Sequence, residues 1–292
     1  MSDTRIHAIS VGWNGSLAPE AAALATERLE RGNVLFMGEL TFSIERDEAA
    51  LFSPAILSSS KNASYDSSSG RVGGTTLEKV DVERLRQMMD RFSRTAVGLV
   101  GRLFPAYAGR IHVARASFRP AEIAGRQTSW RKDDTRLHID SFPASPVQGQ
   151  RILRLFTNVN PSGRCRTWRV GGEFEAVARR FVGRLSMPWP GTNRMLQVFR
   201  ITRSRRTAYD ALMLQLHDRM KEDGDFQQRS EQEIVDFPAG STWLAFTDQV
   251  SHAATAGQYQ LEQTFLLPVS VMRDDRRSPL RVLEGLMGRR LV

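Results

Sequence analysis

The hydrophobic period of this chain changes once, and that change limits the folds open to it. Within residues 81–103, Leu85, Met88, Met89, Phe92, Ala96, Leu99, Val100 and Leu103 recur every three or four positions, the spacing that lines one face of a helix. Pro105 ends the run, because proline lacks the N–H that a continuing helix needs. Beyond it the apolar residues fall into short stretches divided by glycine and proline turn signals. Residues 111–118, 151–159, 164–170, 233–237, 242–246 and 259–269 read as strands, with Pro238-Ala239-Gly240 as a turn. Helices are expected at 19–31, 207–221 and 279–288. A helical stretch followed by many short strands excludes a regular βα alternation and favours a sandwich or barrel flanked by helices. The chain of 292 residues has no internal repeat or sharp break in composition, so one domain is expected. In it, a helical region (1–110) packs on a β-rich core (111–272), and a basic helix or tail (273–292) closes the chain.

The charge balance is the second constraint. There are 41 basic residues against 32 acidic ones, a net of +9, and only four of the basic residues are Lys (Lys61, Lys79, Lys132 and Lys221). Arginine offers a planar fork that grips carboxylate or phosphate in two places, which points to an anionic partner. A GC-rich coding sequence accounts for the arginine preference equally well, though not for the net charge. One cysteine, Cys165, excludes an internal disulfide and a cysteine-based zinc cluster. No apolar run of about 18 residues is present, and residues 1–10 lack a basic segment followed by an apolar one. A reducing, cytoplasmic setting is therefore expected.

The chemistry concentrates in Arg136-Leu137-His138-Ile139-Asp140-Ser141-Phe142. His138 and Asp140 are two apart, so on an extended segment both project to one face. An imidazole and a carboxylate placed this way fill two positions of a divalent metal. His252, at the end of Phe246-Thr247-Asp248-Gln249-Val250-Ser251-His252, is the best third ligand. Two histidines and one carboxylate form the facial triad of non-haem iron(II) oxygenases, with three coordination positions left open. A lone H-x-D is usually just a hydrogen-bonded pair. Here the strand-turn-strand that delivers His252 adds weight to it. Among the other histidines, His217 reads as a surface helix residue, His112 as a possible core residue and His7 as part of a mobile terminus.

An iron-chelating dicarboxylate such as 2-oxoglutarate needs a cationic anchor for its distal end. Many oxygenases place an Arg for this on the strand after the last histidine, but residues 259–267 contain no basic residue. The local choices are Arg154, Arg164, Arg166 and Arg169. Alternation puts Arg154, Phe156 and Asn158 on one face of their strand, and Arg164, Arg166 and Trp168 on one face of theirs. Arginine inside a β-core is costly unless paired, so an inward stripe would imply an anionic ligand. Outward, the same residues would simply be solvated. Asn160-Pro161-Ser162-Gly163 between these strands is a tight turn, serving either a hairpin or a corner between two sheets.

At these residues the chain resembles a known family, the Kdo (3-deoxy-D-manno-oct-2-ulosonic acid) hydroxylases. The resemblance runs through Lys61-Asn62-Ala63-Ser64-Tyr65-Asp66, Ser117-Phe118-Arg119-Pro120, His138-Ile139-Asp140 and Phe156-Thr157-Asn158-Val159-Asn160-Pro161. It continues through Arg166-Thr167-Trp168-Arg169-Val170-Gly171-Gly172 and Trp243-Leu244-Ala245-Phe246-Thr247-Asp248-Gln249-Val250-Ser251-His252-Ala253. It implies a double-stranded β-helix (jelly-roll) core with flanking helices, holding Fe(II) through His138, Asp140 and His252. It also implies 2-oxoglutarate and O2 as co-substrates, with ascorbate helpful in vitro. Arg166, then Arg154, with Trp168 and Asn158 are the expected co-substrate contacts; Arg119, Lys61 and Asn62 are the expected substrate contacts. The implied reaction hydroxylates a Kdo sugar at its 3-position on Kdo-modified lipid A, giving Ko, succinate and CO2. Kdo and lipid A are anionic, so the basic chain is expected at the cytoplasmic face of the inner membrane as a peripheral protein. Rival readings are an oxygenase for another anionic substrate and a jelly-roll binding module without catalysis. A basic nucleic-acid-binding protein is a third, but no helix-turn-helix, RNP or zinc-finger pattern supports it, and no nucleic-acid partner is expected. Residues 61–74 are either a lid or a plain loop.

Overall fold

The computed structural model describes residues 4–189, 202 and 204–292. In chain order the elements begin with β1 (Ile6–Ala8), α1 (Pro19–Glu30), β2 (Val34–Met37), β3 (Ala63–Asp66), β4 (Arg71–Gly73) and α2 (Lys79–Leu103). Next come β5 (His112–Arg119), β6 (Arg151–Asn158), β7 (Arg166–Gly171), α3 (Phe174–Phe181), α4 (Ala208–Glu222) and α5 (Gly224–Arg229). The chain closes with β8 (Gln232–Phe237), β9 (Thr242–Phe246), β10 (His252–Ala256), β11 (Gln260–Leu267) and α6 (Pro279–Met287).

Two sheets face one another. The major sheet has eight strands in the order β1-β2-β9-β6-β11-β5-β3-β4, and the minor sheet has the order β10-β7-β8. Every pairing except β1–β2 is antiparallel. Alternation along the major strands sorts the side chains. Leu153, Leu155, Leu244, Phe246, Leu261 and Phe265 point outward and pack with Leu85, Met89, Phe92 and Leu99 of α2. Phe156, Trp243 and Ala245 point inward and meet Trp168, Val170 and Phe237 of the minor sheet. There Phe237 stacks on Trp243 at 4.0 Å, and Trp168 meets Phe156 edge-on at 5.0 Å. These rings fill the inter-sheet space beside the site and leave it polar only where polar side chains alternate inward. The fold is a double-stranded β-helix with helices against its outer faces.

The Asn160–Gly163 turn is a corner, not a hairpin, since β6 lies in the major sheet and β7 in the minor. Asn158 fastens it. Its amide donates to Arg164 O at 2.9 Å and Phe237 O at 3.0 Å, and its Oδ1 accepts from Asn160 N at 3.0 Å. Gly163 takes the left-handed conformation that the turn requires (φ 72°).

The N-terminal region is not simply helical, as its sequence suggests. It supplies β1 and β2 to one edge of the major sheet and the β3–β4 hairpin to the other. β2 is only four apolar residues between Gly32 and Asn33 on one side and Gly38 on the other. A run that short has no readable period and becomes a strand only because β9 is there to pair with it. Residues 61–74 are mostly that edge hairpin, with β3 bonded to β5. β10, His-Ala-Ala-Thr-Ala, also escapes sequence reading, because alanine carries little β propensity.

One buried ion pair ties β6 to the turn that precedes β10. Arg151 is fully buried; its guanidinium binds Asp248 at 2.7 and 3.2 Å and Gln249 Oε1 at 2.6 Å, and lies 3.9 Å from the Phe246 ring. Thr247 N completes the link by donating to Ile152 O at 2.9 Å. Replacing one partner strands the other charge out of water, so Arg151→Ala is expected to cost about 3–5 kcal/mol in denaturant unfolding. The pair Arg151→Met with Asp248→Asn should cost markedly less than Arg151→Ala alone. An equal or larger loss in the double variant would show that the charge pair is not what holds this turn.

Candidate metal centre

The segment carrying His138 and Asp140 is extended without belonging to a regular strand. It is held at several backbone points. His138 N donates to His252 O at 2.9 Å and His252 N returns the bond to His138 O at 2.8 Å, adding a further antiparallel rung to the minor sheet beside β10. Asp140 N donates to Thr247 O at 2.7 Å. Gln227 of α5 clamps the Leu137 peptide, accepting from its N at 2.8 Å and donating to its O at 2.9 Å. Arg169 reaches from the outer face of β7 to Thr135 O at 2.6 Å. Leu137 and Ile139 are fully buried in the apolar core. By alternation His138 and Asp140 must then turn into the cup.

There the three residues converge: one potential ligand atom from each of His138, Asp140 and His252 lies within 4.8 Å of the others. His138 Nδ1 is 2.7 Å from Arg136 O and His252 Nδ1 is 2.8 Å from Val250 O. Each ring therefore donates from Nδ1 to a carbonyl and presents a bare Nε2, the orientation seen in metal-ligating histidines. Trp168 stacks on the His252 ring at 5.0 Å and 25°. Burial pushes the pKa of His138 well below its ordinary value, with neighbouring His252 and Lys221 adding to the effect. Burial also lowers His252, although Asp140 opposes it. Burial alone would raise Asp140, but Arg154 and His252 outweigh it and its pKa falls. Two neutral imidazoles and one ionised carboxylate are the protonation states that a divalent metal requires. The donor set fits iron(II).

The cavity beside these ligands is lined by Arg119, Asp134, Arg154, Phe156, Arg166, Trp168, Gln260 and Glu262, and encloses about 70 Å3. A far larger cleft, about 950 Å3, lies between α1, α3 and α6. Several of its arginines are already paired with acids, as in Arg180–Asp225 at 2.8 Å and Arg276–Asp274 at 2.8 Å. Among the described residues it contains no converging ligand set.

Arg119, Arg154, Arg166 and Trp168 thus lie where the sequence places them. Asn158 does not: it is spent on the corner. Lys61 and Asn62 do not line the cavity either. The Lys61 ammonium binds Asp134 at 3.0 Å, and Asn62 donates to Ser117 Oγ at 2.9 Å. Arg164 is exposed. His217 is not a surface residue, since its ring meets that of His138 edge-on at 5.4 Å. His112 is exposed rather than in the core, and His7 sits in β1. Sequence reading missed Asp134, Gln260 and Glu262. The last two alternate with Leu261 on the strand inspected only for basic residues.

A double-stranded β-helix that brings two histidines and one aspartate together in its cup defines a mononuclear non-haem iron(II), 2-oxoglutarate-dependent dioxygenase. The comparison with known proteins narrows this. A family model described as 3-deoxy-D-manno-oct-2-ulosonic acid (Kdo) hydroxylase matches residues 12–290, and the chain belongs to that family. A crystal structure of the Kdo hydroxylase KdoO, a non-heme Fe(II) alphaketoglutarate dependent dioxygenase, in complex with cobalt(II) superposes with a TM-score of 0.97 at 42% identity, covering 99% of this chain and 98% of that one. The same enzyme with alphaketoglutarate and Fe(III) gives 0.95 at 42% identity, covering 98% and 97%. No curated protein sequence matches the chain significantly.

Depressed histidine pKa values link stability to pH. The unfolded chain takes up protons near pH 6.5 while the folded, metal-free site resists them, so stability is full above about 6.5 and falls as pH drops below it. The melting temperature of chelator-treated protein should therefore fall between pH 7 and 5, and His138→Gln should flatten that slope. An unchanged slope in the variant would mean that His138 is not the group being titrated.

Proposed function

We propose that this chain hydroxylates a Kdo sugar at its 3-position on Kdo-modified lipid A, converting 2-oxoglutarate and O2 to succinate and CO2 and leaving Ko. The observation that carries the co-substrate part is the state of Arg166. It is 3% exposed, its Nη1 donates to Gly257 O at 2.7 Å, and its Nε has no partner. Arg119 and Arg154 both have carboxylate partners, but Arg166 has none among the described residues. Burial, aided by nearby Arg119, pulls its pKa down to about 9. Trp168 Nε1, also on the cavity wall, is a second buried donor without an acceptor. A buried cation and an indole N–H facing one space call for an anion that the protein itself does not supply. A dicarboxylate held at one end by the metal would meet them with the other.

Bound iron(II) would supply the activation of O2 coupled to oxidation of the keto acid. The protein's share is orientation and dryness. Arg166 and Trp168 fix the distal carboxylate, His138, Asp140 and His252 fix the metal, and Phe156 and Trp168 close the apolar side of the cavity. The acceptor reading is supported by the family and by the charge of +9, which suits an anionic sugar on an anionic surface. No helix among the described residues is long and apolar enough to cross a membrane. Peripheral attachment at the cytoplasmic face of the inner membrane is the arrangement we propose.

Protein incubated with Fe(II), ascorbate, 2-oxoglutarate and Kdo-modified lipid A should add one oxygen to the Kdo portion, read by mass spectrometry, and His138→Ala should add none. Succinate without lipid oxidation would keep the oxygenase and discard this acceptor. Hydrogen bonds to charged groups contribute roughly 1.5–3 kcal/mol, so Arg166→Met should raise KM for 2-oxoglutarate about 10- to 100-fold while metal affinity holds. In a flotation assay, wild-type protein should rise with anionic vesicles and lose them at high salt; failure to bind would remove the membrane reading.

A further inference from the structure

A buried cation outside the cavity stands close to the metal ligands. Lys221, in the last turn of α4, is 2% exposed. It lies one turn beyond His217, whose ring meets that of His138, so it shares the face of α4 turned to the site. Its charge is felt there, since it helps to hold the His138 pKa down. An ammonium has three protons to donate. Among the described residues that of Lys221 meets only Arg131 O, at 3.1 Å, and it forms no ion pair. Asp134, the acid that acts on it most, is itself tied to Lys61 at 3.0 Å. Burial therefore prevails and lowers the Lys221 pKa. A buried cation held by one carbonyl is under-compensated.

The cavity beside the metal ligands encloses about 70 Å3, whereas sites for small molecules usually begin at roughly 300 Å3. A sugar entering beside the co-substrate needs more of the cup than is open. Asp134 forms part of the wall, and the residues just before it are fastened by two lysines: Lys61 holds Lys132 O, and Lys221 holds Arg131 O. The chemistry of the acceptor says what must be received there. In a 3-deoxy-2-ulosonic acid the carboxylate is carbon 1 and the carbon to be hydroxylated is carbon 3, two bonds away. The group that receives the carboxylate must stand close to the reacting carbon, and so close to the metal centre. Arg119, Arg154 and Arg166 line the space that the co-substrate would fill, and Lys61 already has Asp134. We infer that Lys221 receives the carboxylate of the acceptor sugar, which replaces Arg131 O on its ammonium as residues 130–133 give way. Lys221 is then the residue that selects a sugar acid over a neutral sugar. The inference rests on the acceptor reading above.

The test compares two acceptors: Kdo-modified lipid A, and the same lipid with its Kdo carboxylates converted to primary amides. The amide keeps the shape and removes the charge. With each, kcat/KM is followed by mass spectrometry of the added oxygen. Wild-type protein should prefer the acid. Lys221→Met should lower kcat/KM for the acid about 10- to 100-fold, the range for a hydrogen bond to a charged group, and leave the amide nearly unchanged. KM for 2-oxoglutarate should hold. Lys221→Arg, which keeps the charge, should retain part of the preference. If Lys221→Met folds poorly by circular dichroism, Lys221→Gln carries the test, because its amide can still donate to Arg131 O but bears no charge. A Lys221 that merely fastens the loop predicts an equal loss with both acceptors, and that result would overturn the inference. So would a wild-type protein that treats acid and amide alike. Wild-type protein that oxidises neither would instead remove the acceptor reading on which the inference stands.

Discussion

The site depends on one pair of backbone hydrogen bonds, those exchanged between His138 and His252. They join an otherwise irregular segment to β10, so that residues 114 positions apart become neighbours on one sheet. With that rung in place, strand alternation turns both imidazoles inward, and Asp140, two residues on, follows His138. Everything else near the metal secures this rung or its flanks. Gln227 clamps the Leu137 peptide, Arg169 holds Thr135, and the buried Arg151–Asp248 pair fixes the turn that feeds β10. A metal ligand set needs placement to a fraction of an ångström, and a backbone rung supplies that more rigidly than side-chain packing alone.

The interior of the cup is a balanced charge lattice with one gap. Asp140, Glu262 and Asp134 face Arg154, Arg119 and Arg166, and Lys61 supports Asp134 from outside. Burying so many ions is expensive, and each is tolerable only because a neighbour of opposite sign is fixed beside it. Arg166 is the exception. Its guanidinium makes no ion pair at contact distance among the described residues, and Asp134, Glu122 and Glu262 offset its burial only in part. The packed rings of Phe156, Trp168, Phe237 and Trp243 give this side of the cup an apolar wall.

How much of this was legible in the sequence follows from what each feature depends on. The α2 stripe and the strands β5, β6, β9 and β11 depend on local period and were readable. So was the His138, Asp140 and His252 set, because a spacing of two on an extended segment has one geometric meaning. Asn158 shows the limit: alternation gave its face correctly, but not that its amide would be consumed by Arg164 O and Phe237 O at a corner two residues on. Arg154 and Arg166 look alike in sequence, and only the position of Glu262 across the sheet separates a paired guanidinium from an unpaired one. His217 lies on an ordinary amphipathic helix, and nothing in α4 itself announces that its ring meets His138. β1, β2 and β10 were invisible because their strand character comes from their partners.

The order of the major sheet also sets a timetable. β11 is the last strand in the chain, yet it lies between β5 and β6 at the middle of the sheet. The first four strands occupy its two edges. During synthesis, then, β5 and β6 cannot be zipped together through their common neighbour until residue 267 has left the ribosome, and α2 has only part of the apolar surface it will finally cover. Such a chain has no early-closing half. Its apolar strands must wait, exposed, for a distant partner, which makes folding slow and the nascent chain a natural client for chaperones.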